Sequence, residues 1–392
     1  MTQKPRQLLT IAHSYCVALN RRLAHEMARA GAGHWDVTAV APQFFHGDLR
    51  PVPLEEFPGE LSHLEAVPVL FSKHIHVMLY GKRLRQVMRQ VMRQGWDVVH
   101  CWEEPYIFAG GQVARWTPEH AKLVFATFQN NKKSYPPPFN WIERRAMRRA
   151  DGWIAFGHTV NDALALRPEY ATRKHRIIPP GVDIDKFQPS DRDGRRIREQ
   201  LGWSEIGPPV VGFVGRFVPG KGLGLLMRVL DSLRAPWRAL LVGGGPMEKE
   251  LRIWAASHDD RVRVITGIKH DEVPAYLNAM GMLCAPSQTM PNWREQLGRM
   301  LIEAFACGVP VVASDSGEIP YVVADAGIVL SEKDEAAWSR TLEELLENPD
   351  QRTESSKRGI ERAHATFAWP LIARRHLEFF DELLDSAENV NQ

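Results

Sequence analysis

Short apolar runs and amphipathic helical segments alternate along almost the whole 392-residue chain, and this alternation is the feature that most restricts its fold. The strand-like runs of the first half lie at 7–12, 37–40, 96–100, 122–128, 152–156 and 176–178. A second series lies at 210–214, 238–242, 262–266, 281–285 and 309–313. Such alternation is typical of parallel sheets covered by helices. The sequence therefore predicts an α/β protein with two Rossmann-like parallel-sheet domains in tandem.

Local patterns suggest where these domains meet. Residues 189–194 are polar, contain turn residues and show no apolar periodicity, so we predict that they connect the domains. Residues 1–190 carry 25 Lys/Arg against 17 Asp/Glu, whereas residues 191–392 carry 24 against 30. The halves thus have net charges of +8 and −6, which indicates different partners. We predict an N-terminal domain at 1–188, a C-terminal domain at 189–368, and a final amphipathic helix within 369–392 that packs back toward the N-terminal domain.

The composition, with 44% hydrophobic and 24% charged residues, is that of a folded globular protein. No apolar run approaches the roughly 18 residues of a membrane span, and the N-terminus does not resemble a signal peptide. The four cysteines are isolated from one another, without the spacing of a zinc site. We therefore expect a cytoplasmic protein with buried thiols.

A glycine-rich loop at 215–222 carries two cations between a predicted strand and a predicted helix. Such a loop presents backbone N–H groups and the positive end of the helix dipole. Arg216 and Lys221 add two full charges, which suit a diphosphate. The alternative is a surface turn whose glycines only permit positive φ. Two cations in one short loop favour the diphosphate site.

Two carboxylates, Glu295 and Glu303, flank the glycine at position 298, which is predicted to open a helix. Glu295 is then expected on the preceding loop and Glu303 inside the helix. Each carboxylate can accept hydrogen bonds from two neighbouring hydroxyls of a sugar or a ribose. Alternatively, both are solvated helix charges.

Five segments, taken in order, resemble motifs of the retaining glycosyltransferases of family 4, which have the GT-B fold: 178–183, 213–222, 241–246, 285–287 and 295–303. The resemblance covers nearly the whole chain. It implies two Rossmann-like domains facing a central cleft. It also implies transfer of a sugar from a nucleotide-diphosphate-sugar to a hydroxyl of a glycan or lipid-linked acceptor, in polysaccharide or glycolipid biosynthesis.

The resemblance implies roles for individual residues. Arg216 and Lys221 would hold the donor diphosphate, Glu303 the ribose hydroxyls, and Glu295 the hydroxyls of the transferred sugar. Family members retain the configuration and need no metal ion, and the departing diphosphate helps to deprotonate the acceptor. Backbone N–H groups at 296–298 would cap phosphate and sugar. The other donor-side residues implied by the motifs are Gln296, Leu297, Gly298, Gly215, Ile268 and Ser287.

The acceptor is expected on the N-terminal domain, where two loops depart from the family pattern. Many members have a glycine pair after the first strand, whereas this chain has 12–17, Ala-His-Ser-Tyr-Cys-Val. A histidine often follows the mid-domain strand, whereas this chain has Gln129, which can bond a hydroxyl but cannot take up a proton at neutral pH. His13, His100 and His158 are candidates to replace it, unless each is structural. The predicted acceptor side comprises His13, Tyr15, Gln129, Glu103 and Glu104.

A basic amphipathic segment suggests an anionic membrane surface as a further partner. Residues 82–93 place five apolar side chains on one helical stripe among five basic residues, and 144–149 adds four arginines. The alternative is that the stripe packs on the N-terminal sheet while the arginines are solvated. Together with the +8 charge of residues 1–190, the pattern predicts peripheral association with anionic headgroups.

Two further functional classes are compatible with this fold: a GT-B isomerase or phosphorylase, and a non-catalytic sugar-binding scaffold. The sequence lacks a pyridoxal-phosphate lysine motif and keeps all four of Arg216, Lys221, Glu295 and Glu303. These observations favour the transferase. The D-x-D triplets at 183–185 and 191–193 do not follow a strand beside the diphosphate loop, so we predict no metal or cofactor. No module for nucleic-acid binding is recognisable.

Overall fold

The structure is a computed structural model that describes residues 4–46, 51–90, 95–204 and 206–388. The chain divides into two compact units. Unit 1 contains the residues up to Pro180 and those from Trp369 onward, and unit 2 runs from Gly181 to Ala368. The chain thus first changes unit at residue 180, whereas the sequence-based boundary lies at 188.

Unit 1 is built on one parallel sheet. Its elements, in chain order, are β1 (Arg6–Ile11), α1 (Ala18–Ala30), β2 (Trp35–Pro42), β3 (Phe44–His46), β4 (Pro51–Pro53), β5 (His63–Val67), β6 (Val69–Leu70), β7 (Leu79–Tyr80), α2 (Lys82–Gln90), β8 (Val98–Cys101), α3 (Phe108–Trp116), β9 (Lys122–Thr127), α4 (Phe139–Arg149), β10 (Gly152–Ala155), α5 (His158–Leu164), α6 (Pro168–Ala171) and β11 (Lys174–Ile177). The sheet has the order β11-β10-β9-β8-β1-β2-β5. Strand order reverses between β1 and β8, so ligands are expected at the carboxyl ends of these strands.

Unit 2 repeats this design. Its elements are α7 (Asp191–Gln200), β12 (Val210–Arg216), α8 (Leu223–Ser232), β13 (Arg238–Gly244), α9 (Glu248–Ala256), β14 (Val262–Thr266), α10 (Val273–Asn278), β15 (Met282–Ala285), α11 (Arg299–Ala306), β16 (Val311–Ser314), α12 (Ile319–Val323), β17 (Ile328–Leu330), α13 (Glu335–Glu347) and α14 (Pro349–Arg362). The parallel sheet has the order β14-β13-β12-β15-β16-β17. Its switch point lies between β12 and β15. The prediction of two Rossmann-like parallel sheets is confirmed.

Helices cover both faces of the unit 1 sheet, as the alternation of side chains along its strands requires. Leu9 of β1 packs in the core that contains α2, α3 and α4 residues. Leu8 packs in the core under α1 and the C-terminal helix α15 (Trp369–Glu388). That helix was predicted from the apolar spacing of 369–384, and it supplies Ile372, Leu377 and Phe380 to this core.

The four cysteines are buried free thiols, two in each unit, as expected. Burial raises the pKa of the Cys16 thiol to about 11. The thiolate, which is the nucleophilic form, is therefore disfavoured at neutral pH.

The prediction that residues 189–194 connect the two domains is wrong, because these residues lie within unit 2. Ser190 caps α7 by accepting a hydrogen bond from the backbone N–H of Asp193, and residues 191–194 form the first turn of the helix. A Cβ on Gly194 would lie 2.2 Å from the carbonyl oxygen of Asn278 in α10, so this glycine permits close helix packing. The polar residues that suggested a loop are therefore the capping residues of a helix.

The apolar stripe of 82–93 is buried where the structure describes it. Leu84, Val87 and Met88 of α2 lie in the core of unit 1. The packing alternative thus holds for these three residues, and they cannot contact lipid. Val91, Met92 and Arg93 lie outside the described residues. None of the described helices has the length and apolar character that a membrane crossing requires.

Two histidines, one in β8 and one in α15, are buried against each other. The ring centroids of His100 in β8 and His376 in α15 are 5.4 Å apart. The Nδ1 of His100 lies 2.9 Å from the hydroxyl oxygen of Thr10, and each Nε2 has no hydrogen-bond partner among the described residues. Burial lowers the pKa of His376 to about 4 and holds the pKa of His100 well below its usual value. Both rings are therefore neutral in the folded protein at neutral pH.

Stability of wild type is expected to fall as the pH decreases from about 6.5 toward 4. In that window the unfolded chain binds protons at His100 and His376 that the folded chain does not, which costs about 1.4 kcal/mol per pH unit for each histidine. His376→Leu should remove the contribution of one histidine, so the free energy of unfolding of this variant should depend less steeply on pH. Urea unfolding of both proteins at pH 7.5 and 5.5 tests this, because other titrating groups cancel in the comparison. An identical pH dependence in both proteins would contradict it.

Candidate functional site

The candidate site in unit 2 is built where β12 and β15 end side by side. Residues Pro219–Lys221 form a 3₁₀ turn after β12, and α8 begins two residues later. Between them Gly222 has φ +74°, and a Cβ there would lie 1.7 Å from the carbonyl oxygen of Pro286, just after β15. The backbone N–H of Gln288 also donates to the carbonyl of Gly220 at 2.8 Å. The two loops can meet because residue 222 lacks a side chain.

Three polar side chains converge at this junction. The Nζ of Lys221 lies 2.5 Å from Oε2 of Glu295, and the hydroxyl of Ser287 donates to the same oxygen at 3.0 Å. Lys221 is 8% exposed and Glu295 is 6% exposed. The Trp293 ring lies 5.4 Å from Nζ and shields the pair. Burying two charges costs desolvation free energy, so a buried ion pair is weak evidence for stabilisation of the fold. A buried pair next to a glycine-rich loop is instead a candidate functional site.

Glu295 is held by the loop after β16. The backbone N–H of Glu318 donates to the carbonyl of Glu295 at 3.0 Å. Gly317 has φ +59°, and a Cβ there would lie 2.0 Å from the same carbonyl oxygen. The position of Glu295 therefore depends on a glycine that the sequence reading did not connect with the site.

Glu303 lies inside α11, as predicted, and is buried. Its Oε1 is 2.9 Å from Nε2 of His270. His270 follows the loop after β14, which contains the half-buried Ile268. The structure thus brings Glu303 beside the loop that contains the predicted donor-side residue Ile268.

The remaining predicted donor-side residues surround this junction. Arg216 is the exposed last residue of β12, directly after Gly215. Gln296 is exposed, whereas Leu297 packs into the core of unit 2. Gly298 is the N-cap of α11, whose first N–H groups have no partner within the helix. Cations and helix N-termini can bind phosphates here, while the two carboxylates can accept hydrogen bonds from hydroxyls.

A second polar cluster occupies the switch point of unit 1, between β1 and β8. The backbone N–H of His13 donates to Oε1 of Glu103 at 2.5 Å, and His13 Nδ1 lies 2.7 Å from Oε2. The Tyr80 hydroxyl also donates to Oε1, at 2.5 Å. Glu103 is buried, so its carboxylate fixes the orientation of the imidazole across the gap between the two strands.

The neighbouring Glu104 contacts the next strand, β9. It accepts hydrogen bonds from the Thr127 hydroxyl at 2.6 Å and from the backbone N–H of Phe128 at 2.8 Å. Burial raises the pKa of Glu104 to about 7, although both hydrogen bonds oppose the shift. A carboxyl group at this edge therefore changes charge near neutral pH.

Gln129 follows β9 at the same edge of the sheet. It is only 7% exposed, and neither Oε1 nor Nε2 of its side chain has a hydrogen-bond partner among the described residues. An unsatisfied buried amide costs about 1–3 kcal/mol. The amide is therefore available to a ligand that both donates and accepts hydrogen bonds.

Two of the predicted acceptor-side candidates do not reach this edge. Tyr15 is fully buried, and its hydroxyl lies 2.8 Å from that of Thr10. His100 lies in the core against His376, so it does not replace a ligand-binding histidine. His158 is exposed at the start of α5.

Three contacts of the two clusters were missed by sequence reasoning: Tyr80 on Glu103, Trp293 over Lys221, and His270 on Glu303. Each joins residues that lie 23 to 72 positions apart, so no local motif contains both partners. The only available signal was position: Trp293 lies between β15 and α11, and His270 begins a 3₁₀ turn after β14, and connections of this kind often carry functional residues.

Comparison with known proteins decides the family. The family described as glycosyl transferases group 1 matches residues 195–362, and Glycosyltransferase Family 4 matches residues 19–186. A D-inositol 3-phosphate glycosyltransferase of Salinispora arenicola is 31% identical over 367 residues, covering 86% of this chain and 76% of the relative. This chain belongs to the group 1 glycosyltransferases.

Solved structures agree with the fold of this glycosyltransferase. A glycosyltransferase from Rickettsia africae has a TM-score of 0.76 at 16% identity, covering 97% of this chain and 99% of that one. HepE of Anabaena, solved with UDP and glucose, has a TM-score of 0.71 at 17% identity, covering 96% and 100%. At these identities the likeness shows the GT-B fold alone. The Salinispora arenicola relative is named as a glycosyltransferase, so it gives no support to the isomerase alternative.

Proposed function

We propose that this glycosyltransferase binds a nucleotide-diphosphate-sugar on unit 2 and transfers the sugar, with retention of configuration, to a hydroxyl of a glycan or lipid-linked acceptor bound on unit 1. The observation that carries the proposal is the buried contact of Lys221 with Glu295 and Ser287 beside the glycine-rich loop. This contact supports the proposal because a cation that can bind phosphate and a carboxylate that can accept from sugar hydroxyls lie within one hydrogen bond of each other.

The chemistry of these side chains suits the departure of a diphosphate. The ammonium group of Lys221 has three N–H donors, so it can donate to Glu295 and to a phosphate oxygen together. Arg216 and the N-terminus of α11 add positive potential where negative charge develops on the leaving group. Glu295 is held in place by Lys221 and Ser287, and it can accept hydrogen bonds from the hydroxyls of the transferred sugar.

Glu303 suits the ribose of the nucleotide. Its carboxylate lies beside His270 at the end of the loop after β14, so a nucleoside lying along that loop would present its ribose hydroxyls to Glu303. HepE of Anabaena was solved with UDP and glucose, which is the class of ligand that we propose for unit 2.

The orphaned Gln129 amide supports an acceptor site on unit 1. A hydroxyl group can donate to Oε1 and accept from Nε2, and adjacent hydroxyls can do both at once. The Salinispora arenicola relative is named for an inositol phosphate, a polyol, as its substrate. We therefore propose a polyhydroxylated acceptor held by Gln129 and by the cluster of His13, Glu103 and Glu104.

Gln129→Leu is expected to raise the KM for the acceptor at least about tenfold, because each hydroxyl bound to the amide loses its partner. The free energy of unfolding should stay equal or rise, since an unsatisfied buried polar group is removed. Kinetics with saturating donor and urea unfolding test the two parts. A destabilised variant with an unchanged acceptor KM would instead assign Gln129 a structural role.

We also propose that transfer needs no metal ion, because Arg216 and Lys221 supply positive charge to the diphosphate. No group of three metal-ligating side chains occurs in the described parts of the chain. Transfer by the purified protein is expected to continue in millimolar EDTA. Loss of activity in EDTA that a divalent ion restores would contradict this proposal.

For location, we propose a cytoplasmic protein that associates peripherally with an anionic membrane surface. The +8 charge of residues 1–190 supports this, and the buried α2 stripe does not. A lipid-linked acceptor would be presented at such a surface.

The direct test of the function is transfer itself. The purified protein is incubated with nucleotide-diphosphate-sugars and with glycan or lipid-linked acceptors, and the anomeric configuration of the product is read by NMR. The expected product has the anomeric configuration of the donor. A product of opposite configuration, or sugar rearrangement without transfer, would overturn the proposal.

A further inference from the structure

An apolar pocket of about 370 Å³ lies between α3 and α4 of unit 1. Small-molecule sites commonly have volumes of this order and are lined by apolar and aromatic side chains with a few polar groups. Its walls include Gly111, Gln112 and Arg115 of α3 and Ile142, Arg145 and Ala146 of α4. None of these residues belongs to the two polar clusters at the switch points.

Helical spacing explains how the pocket forms. Its α3 residues recur at intervals of three and four, and its α4 residues do the same, so each helix contributes one stripe. The helices touch at Gly111, where a Cβ would lie 2.6 Å from Cγ2 of Ile142. The side chain of Gln112 forms two hydrogen bonds with the backbone of Tyr80 and is thereby fixed. The two helices and the fixed Gln112 side chain thus form the walls of a pocket that is open to solvent.

Two arginines of the pocket have no acidic partner among the residues that the structure describes. Arg115 and Arg145 are exposed, and neither forms a salt bridge with any described residue. By contrast, Arg144 pairs with Glu169 at 3.1 Å, and Arg149 pairs with Asp151 at 3.2 Å. The described residues therefore leave the positive charge at the pocket without a paired carboxylate.

An aromatic side chain lies beside these charges. Trp141 is 62% exposed and precedes Arg145 by one helical turn. Exposed tryptophans next to arginines are typical of surfaces that meet a membrane interface. The pocket thus combines an apolar cavity, two available guanidinium groups and an interfacial aromatic residue.

We propose that this pocket binds an anionic phospholipid, with an acyl chain in the apolar cavity and the phosphate at Arg115 and Arg145. Guanidinium groups bind phosphate oxygens through paired N–H donors. The walls present few polar groups that could recognise a base or a sugar, so the chemistry fits an amphiphile and not a nucleotide. This site goes beyond the transfer reaction, and it rests on the proposed membrane association.

The test measures binding without donor or acceptor. Dihexanoyl-phosphatidylglycerol, kept below its micelle concentration, is titrated into the full chain by calorimetry, with dihexanoyl-phosphatidylcholine and inorganic phosphate as comparison probes. We expect saturable binding of the anionic lipid that is clearly tighter than that of either comparison probe. Arg115→Gln/Arg145→Gln should weaken it about thirtyfold, since two basic contacts are lost. Ile142→Trp, which fills the cavity and keeps both arginines, should also weaken it.

The matched control is Arg144→Gln/Arg148→Gln, which removes the same charge from the same surface without touching the pocket. Its affinity should stay within about twofold of wild type. Equal losses in both double variants would show diffuse attraction and overturn the site. Unchanged binding in the pocket variants, or equal affinity for inorganic phosphate, would overturn it as well. UDP or GDP binding to unit 2, measured in parallel, keeps this outcome separate from failure of the transferase proposal.

Discussion

A protein in which methionine replaces Lys221 is expected to lose transfer at least about a hundredfold and to lose about 3–5 kcal/mol of unfolding free energy. The first effect follows because one preorganised cation is removed from the developing diphosphate. The second follows because the Glu295 carboxylate, 6% exposed, is left buried without its ion-pair partner. Steady-state transfer and urea unfolding measure the two effects.

Two further variants separate these effects. Adding Glu295→Gln to Lys221→Met removes the orphaned charge, so stability should largely recover while transfer stays lost. Arg216 is exposed, so Arg216→Gln should reduce transfer by about a hundredfold with little change in stability. If Lys221→Met kept wild-type turnover in conditions where it is folded, the diphosphate assignment would be wrong.

The two carboxylates are expected to respond to different parts of the donor. Glu303→Gln should weaken binding of the free nucleoside diphosphate and of the nucleotide-sugar alike, by about tenfold or more, because ribose is common to both. Glutamine keeps an oxygen that can accept from His270. Glu295→Gln should weaken chiefly the sugar-bearing donor. Calorimetry with both ligands on both variants measures the difference.

Equal losses for both ligands in both variants would contradict the separate roles of Glu295 and Glu303. Unfolding curves serve as the control, because Glu295→Gln also leaves Lys221 without its carboxylate. Affinities are therefore compared only at temperatures where both variants are folded.

The layout of the fold could be predicted because its signals are local. The apolar run of 262–266 and the helix opened by Gly298 depend on neighbours within a few residues, and both occur as expected. The wrong prediction at 189–194 also came from local signals, which are ambiguous there. Serine and aspartate favour turns and helix caps alike, and only the packing of Gly194 on α10 decides between them.

The candidate site could be predicted in its residues but not in its contacts. Arg216, Lys221, Glu295 and Glu303 were singled out by charge and by family resemblance. That Lys221 and Glu295 form a buried pair depends on the meeting of two loops 74 residues apart. This contact changes the expected consequence of mutating Lys221 from a purely catalytic loss to a combined loss of activity and stability.

The contacts of the predicted acceptor-side residues could not be predicted from the sequence either. The prediction grouped Tyr15 with His13, but a 3₁₀ turn at 13–16 directs the Tyr15 ring into the core and leaves His13 at the edge with Glu103. Sequence spacing alone does not distinguish these directions. Likewise, the orphaned amide of Gln129 is visible only once the surrounding side chains are placed.

The proposed function requires binding of a nucleotide-diphosphate-sugar at the loop of Arg216 and Lys221. Thermal unfolding of wild type and of Arg216→Gln, each with a panel of nucleotide-diphosphate-sugars, tests this most directly. At about 100 times its dissociation constant, the correct donor should stabilise wild type by about 2.7 kcal/mol. At the same concentration it should stabilise the variant much less. If no member of the panel stabilised wild type, or if the variant were stabilised equally, the proposed donor site would be wrong.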